Sequence, residues 1–191
     1  MKIYVDGCSL TYGYGLDREY SLSNLLKTKL DIEIDDYSYP SKSNYTIALD
    51  LYSTKIDYDL YIIGWTYSSR IEFNINGTII ECIPSKTHIG LGNIPNGEFF
   101  EKEYNVLQNK FYRYASRLDV LSDFFIDSTA SILKKSDKKF IFFSMAEQRN
   151  CEEGMLYPLF SNECNQTDGH LNETGMEKLR DLILEKINEQ K

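Results

Sequence analysis

Short apolar runs alternate along this chain with stretches whose hydrophobic positions recur every three to four residues. The runs predict strands at about Lys2–Asp6, Glu33–Tyr39, Leu60–Gly64 and Phe140–Met145, with a weaker fifth near Leu156–Phe160. Helical periodicity covers Leu22–Leu30 and Asn44–Ser53, and each segment follows a serine, Ser21 or Ser43, whose hydroxyl can accept from a first-turn amide. Between Glu101 and Lys134 the positions Tyr104, Leu107, Phe111, Tyr114, Leu118, Leu121, Phe125 and Ile132 keep the same spacing. They predict one long or once-broken helix packed on the sheet. A last helix is predicted to open at Thr174-Gly175-Met176-Glu177, a capping-box pattern, and to turn Met176, Leu179, Ile183 and Ile187 to one side. Strands alternating with helices make an α/β sheet with crossover helices.

The pattern breaks between Trp65 and Phe100, where Ile71, Phe73 and Ile75 alternate before the hairpin turn Asn76-Gly77. A small hairpin-containing insertion around 65–100 is therefore predicted within a single domain spanning 1–191. With 191 residues and 42% hydrophobic content the chain can bury one core. Its net charge is −8, and its basic groupings stop at the pairs Lys134-Lys135 and Lys138-Lys139, which argues against nucleic acid as a partner. No basic leader precedes Ile3-Tyr4-Val5 and no apolar run approaches ~18 residues, so a cytoplasmic protein without a membrane partner is expected. Cys8, Cys82, Cys151 and Cys164 lack metal-binding spacing and are read as free thiols, with no metal implied. The acidic stretch Asp31–Asp36 is read as solvent-facing charge.

Two segments carry chemistry. Gly7-Cys8-Ser9-Leu10-Thr11-Tyr12-Gly13 ends the first strand, and Asp168-Gly169-His170 precedes the last helix. A serine hydroxyl is a poor nucleophile until an imidazole takes its proton and a carboxylate holds that imidazole in the right tautomer. The chain has two histidines, His88 in a polar loop and His170, so the choice of base is narrow. Open parallel sheets bind ligands beyond the carboxyl ends of their strands. Gly7–Gly13, Pro40–Asn44 and Gly64–Thr66 follow predicted strands, and Asp168–His170 lies on the loop into the last helix.

The order and placement of these four segments resemble the blocks of the SGNH, or GDSL, hydrolase superfamily. The resemblance implies a three-layer α/β/α flavodoxin-like sandwich with a mostly parallel five-stranded sheet. Gly7, Ser9 and Leu10 match the first block, with Cys8 in place of its aspartate, and the nucleophile carries over to Ser9. Ser41 stands where the second block offers a backbone amide to the oxyanion, and Thr66 stands where the third offers an asparagine side chain. The implied oxyanion hole is Ser9, Ser41 and Thr66. His170 carries over as the base and Asp168 as its partner, although Asp168 is two residues from His170 and Thr167 holds the usual place. A backbone carbonyl or Glu163 is the alternative orienting group.

This family resemblance implies a serine esterase working through an acyl-serine intermediate, with no cofactor and with a small-molecule or glycan ester as its partner. An O-acetyl ester on a carbohydrate is favoured by the polar and aromatic surroundings of the site and by the lack of an apolar lid. Tyr12, Trp65 and Arg70 are candidate substrate-binding residues, with Tyr14 and Tyr67 nearby. The same serine chemistry would serve an acyltransferase if a sugar hydroxyl outcompeted water, and the substitutions at Cys8, Ser41 and Thr66 with the shortened Asp168–His170 spacing keep open a catalytically inactive carbohydrate-binding module. A phosphate-cradling reading of Gly7–Gly15 lacks the Gly-x-x-x-x-Gly-Lys pattern.

Overall fold

The computed structural model describes residues 1–68, 70–75, 78–82, 115–144, 155–158, 163–164 and 170–190. Four segments form a parallel sheet: β1 (Lys2–Gly7), the acidic edge strand β2 (Glu33–Asp36), β3 (Leu60–Trp65) and β6 (Lys139–Ser144), in the order β2-β1-β3-β6. The chain leaves β1 through the single-turn helix α1 (Ser9–Tyr12) and α2 (Leu22–Leu30) to reach β2 on one side. It then passes through α3 (Asn44–Ser53) to β3 on the other side of β1. The strand order therefore reverses at β1. In open α/β sheets that reversal opens a crevice at the carboxyl ends of the strands.

Both faces of this sheet are covered, which is why its central strands read as continuous apolar runs. Ile3, Val5, Leu60, Ile62, Ile141 and Phe143 face Leu22 and Leu26 of α2 and Met176, Leu179, Ile183 and Ile187 of α5 (Glu173–Glu189). Tyr4, Tyr61, Ile63, Trp65 and Phe142 face Ile47, Ala48 and Leu51 of α3 and Ile126, Ala130 and Leu133 of α4 (Ala115–Lys135). The result is three layers, helices on a sheet on helices. β4 (Ile71–Ile75) and β5 (Thr78–Cys82) pair antiparallel, with Ile75 opposite Thr78.

Helices α2 and α3 keep their predicted bounds. Ser21 accepts from the Asn24 amide at 3.3 Å and Ser43 from the Thr46 amide at 3.2 Å, as capping serines do. Other expectations need correction. The last helix starts at Glu173, and its cap is Asn172, whose Oδ1 accepts from the Gly175 amide at 3.0 Å, rather than Thr174. Strand β2 ends at Asp36, whose carboxylate accepts from the amide and hydroxyl of Ser38. Tyr37 and Tyr39 still donate to the carbonyls of Val5 and Gly7. Among the described residues the fifth strand reduces to one parallel bridge between Leu156 and Phe143.

The inward face of α4 is Ser122, Ile126, Thr129, Ala130 and Leu133, while Leu121 and Ile132 point outward. Its polar members find internal partners: Ser122 accepts from the Asn44 side chain and Thr129 donates to the Phe125 carbonyl. The part of this helix predicted from Glu101 to Tyr114 lies outside the described residues. Asp35 and Asp36 are not free surface charges, since Tyr58 donates to Asp35 at 2.6 Å and Arg18 pairs with Asp36 at 2.6 Å. No helix among the described residues is long and apolar enough to cross a membrane.

Candidate active site

Strand β1 ends at Gly7, directly opposite Gly64 of β3, and the chain then turns into α1 through an extended Cys8. Two glycines face each other here for a steric reason. A Cβ on Gly7 or on Gly64 would overlap the Thr11 hydroxyl, which sits against both strands. Helix α1 thus lies flush on the sheet, with Ser9 as its first residue. Its turn closes at Gly13, whose left-handed φ of 77° suits glycine. Ser9 is buried, and the Cys8 side chain is buried and free of disulfide.

His170 arrives from the other end of the chain. The residues after it are fixed firmly: Leu171 is in the core and bridges to Cys164, and Asn172 both caps α5 and donates its amide to the Glu163 carbonyl at 2.8 Å. This anchorage sets His170 Nε2 3.0 Å from Ser9 Oγ, across 161 positions of sequence. That is hydrogen-bond distance for a general base and its nucleophile. The Tyr14 ring, about half exposed, lies 5.1 Å from the imidazole. The Glu163 carboxylate engages the Lys178 ammonium. Asp168 and His88 lie outside the described residues.

The loop after β2 carries Ser41, which adopts a left-handed φ of 67°. That conformation is ordinarily glycine's, so a serine there needs support from its surroundings. The loop is tied to β1 by the Tyr39 amide, which donates to the Gly7 carbonyl, and by Lys42, whose ammonium pairs with Asp6 at 2.5 Å. Burial pushes the Asp6 carboxyl up to about 7, against the opposing pull of Lys42, Tyr4 and the Gly7 amide. The Tyr4 phenol is raised as well, by its own burial first and the neighbouring Asp6 second.

Beyond β3, Thr66 is buried and its backbone is clamped by one side chain. The Thr66 amide donates to Asn44 Oδ1 at 2.8 Å, and Asn44 Nδ2 donates to the Thr66 carbonyl at 2.9 Å. With its amide so engaged, Thr66 has its hydroxyl to offer, and Oγ1 is buried with no hydrogen-bond partner among the described residues. Lys42, Asp6 and Asn44 escaped the sequence reading. The signal for Asn44 was its place directly after a capping serine; the charges at 6 and 42 gave none, because charged residues are seldom fully buried.

The candidate substrate residues fare unevenly. Trp65 is a core residue, 1% exposed and packed edge-on against Phe142, so it presents no face to a ligand. One face of Tyr12 is covered by the Arg18 guanidinium, 4.0 Å from the ring centre. Tyr14 is the aromatic beside His170 instead. Arg70 turns back through its amide to the Tyr67 carbonyl, and its Nε and Nη1 are buried without hydrogen-bond partners among the described residues. Among the described residues no three His, Cys, Asp or Glu side chains gather to hold a metal ion.

No protein-family model matches the chain, and no curated protein matches it in sequence. Solved structures do. TesA is similar at 12% identity and a TM-score of 0.58, over 96% of both chains. A carbohydrate esterase with divergent catalytic and non-catalytic binding functions is similar at 10% identity and a TM-score of 0.57, over 98% of this chain and 64% of the other. The acetyl xylan esterase Est2A from Butyrivibrio proteoclasticus gives 10% identity and a TM-score of 0.53 over the same shares. Sheet order, layers and these likenesses agree: the chain shares the three-layer α/β fold of TesA and of these two esterases.

Proposed function

We propose that this protein is a serine esterase and that Ser9 is its nucleophile. The observation that carries the reading is the 3.0 Å contact between Ser9 Oγ and His170 Nε2 at the crevice where the strand order reverses. As Ser9 attacks an ester carbonyl, His170 takes its proton and then returns it to the leaving alcohol; Asp168 orients the imidazole. Water, activated by the same histidine, then releases the acyl group from Ser9.

Negative charge that develops on the carbonyl oxygen is met by the Ser9 and Ser41 amides and the Thr66 hydroxyl. One well-aimed donor of this kind contributes about 3 kcal/mol to the transition state. A half-exposed tyrosine beside the base suits a polar alcohol portion. An O-acetylated carbohydrate has that character, and an acetyl xylan esterase is among the proteins of similar fold.

The experiment is labelling with a fluorophosphonate together with turnover of aryl and sugar acetates. The wild type is expected to label and turn over. Ser9→Ala, His170→Ala and the double variant should each lose several orders of magnitude, the double being hardly worse than either single because the residues act as a unit. Additive losses, or turnover that survives Ser9→Ala, would refute the mechanism. A wild type that neither labels nor turns over any ester but binds oligosaccharides would point to a binding module.

A further inference from the structure

An ion pair under the Ser41 loop takes no part in the chemistry above. The side chains of Lys42 and Asp6 are both 0% exposed, with Nζ 2.5 Å from Oδ1. The same ammonium donates to the Tyr37 carbonyl at 3.0 Å and pairs with Asp50 on α3 at 2.6 Å. Asp6 in turn accepts from the Tyr4 hydroxyl at 2.7 Å and from the Gly7 amide at 2.6 Å. Removing a lysine and an aspartate from water costs more than a surface ion pair returns, so such a pair is weak evidence of stabilisation. What it does supply is a fixed distance between two parts of the chain.

Those two parts both serve the proposed oxyanion hole. Asp6 lies three residues before Ser9 on β1, and Lys42 immediately follows Ser41. Ser41 holds a left-handed φ that a residue with a Cβ keeps only where its surroundings enforce it. Of the backbone bonds from this loop to β1, that of the Tyr37 amide to the Val5 carbonyl is 2.9 Å, and the one nearer Ser41, from the Tyr39 amide to the Gly7 carbonyl, is long at 3.3 Å. Asp50 restrains the lysine from the opposite side, so Nζ is gripped by the strand, the loop and the helix at once.

We propose that Lys42, held by Asp6 and Asp50, is a positioning residue that fixes the Ser41 amide relative to Ser9 and so aims the oxyanion donors. This rests on the esterase reading. A lysine that only holds the fold together would, on removal, lower stability and leave transition-state binding in the folded fraction as it was. One that aims the donors lowers kcat while substrate binding persists.

The test measures kcat, KM and boronic-acid inhibition for the wild type, for Lys42→Met and for the double variant Asp6→Asn/Lys42→Gln. Boronates form a tetrahedral adduct on serine and so report the oxyanion hole without turnover. The double variant is included because Lys42→Met alone leaves Asp6 buried without its cation and is prone to unfold. In variants that retain a cooperative thermal transition, kcat is expected to fall about 100-fold. Boronate affinity should fall in parallel, and KM should stay within about threefold. A folded double variant with kcat within about threefold of wild type would overturn the proposal, as would a loss of kcat with boronate affinity intact. A wild type that cleaves no ester would instead remove the esterase reading, and this proposal with it.

Discussion

Changing Thr66 to valine should make the protein more stable and less active at once. The substitution replaces the hydroxyl by a methyl group of nearly the same shape. It leaves untouched the backbone amide and carbonyl that Asn44 holds at 2.8 and 2.9 Å. Thr66 is 1% exposed and its Oγ1 has no hydrogen-bond partner, so the folded protein carries a desolvated hydroxyl. Such a group costs about 1–3 kcal/mol. Relieving part of that gives about 1 kcal/mol of added stability, a rise of roughly 2–4 °C in Tm for a chain of this length. The proposed role predicts the opposite effect on rate, because a lost oxyanion donor costs about 10²–10³ in turnover. Differential scanning calorimetry and kcat/KM on an aryl acetate measure the two effects, with Thr66→Ser as the control that keeps the hydroxyl. Turnover within about threefold of wild type would show that the hydroxyl is not a donor to the transition state. A lower Tm accompanying the lost activity would show that the hydroxyl supports the fold, and the argument from its burial would fail.

Asn44→Ala should be costly to stability, because it strips partners from the buried Thr66 amide, Thr66 carbonyl and Ser122 hydroxyl together; about 3–5 kcal/mol is expected from urea unfolding. A loss below about 1 kcal/mol would mean that these groups find other partners. Asp6 should impose a pH dependence on stability. Its folded value of about 7 lies above the ordinary 3.8, so between those values the folded protein keeps a proton that the unfolded chain releases. The contribution is full below about pH 4 and lost as pH rises towards 7, and the unfolding free energy of wild type should fall across that window relative to Asp6→Asn. A flat profile across that window, with any change confined below about pH 4, would show that the pull of Lys42 keeps Asp6 ionised in the folded state.

The sheet and its first two crossover helices were legible because their signals are local. A serine directly before an apolar period stops a helix from starting earlier, and Ser21 and Ser43 did so where expected. The pairing of Ser9 with His170 was legible for a different reason, the scarcity of histidine. The register of α4 was not, since Leu121 and Ile132 are apolar and Ser122 and Thr129 are not, while the contacts that reverse their places come from α3, far away in sequence. Trp65 was misread as a ligand platform because it ends a strand, where alternation of side chains does not say which of two neighbours turns inward. Lys42 and Asp6 defeat any reading by polarity, being charges inside the protein whose partners only the fold reveals.

The seat of α1 on the sheet has a bearing on how such a chain can diverge. Gly7, Gly64 and Thr11 occupy one another's space so closely that none can grow unless another shrinks. Mutations at these three positions are therefore acceptable in combination and rarely singly, and descendants of this sequence should inherit them as a set. The proposed oxyanion donors are under no such mutual constraint: a backbone amide survives a change of side chain at 41, and at 66 the proposed donor is a side-chain hydroxyl. A lineage can thus rewrite most of the letters of the proposed site while the surface that holds Ser9 at its height above the sheet stays the same.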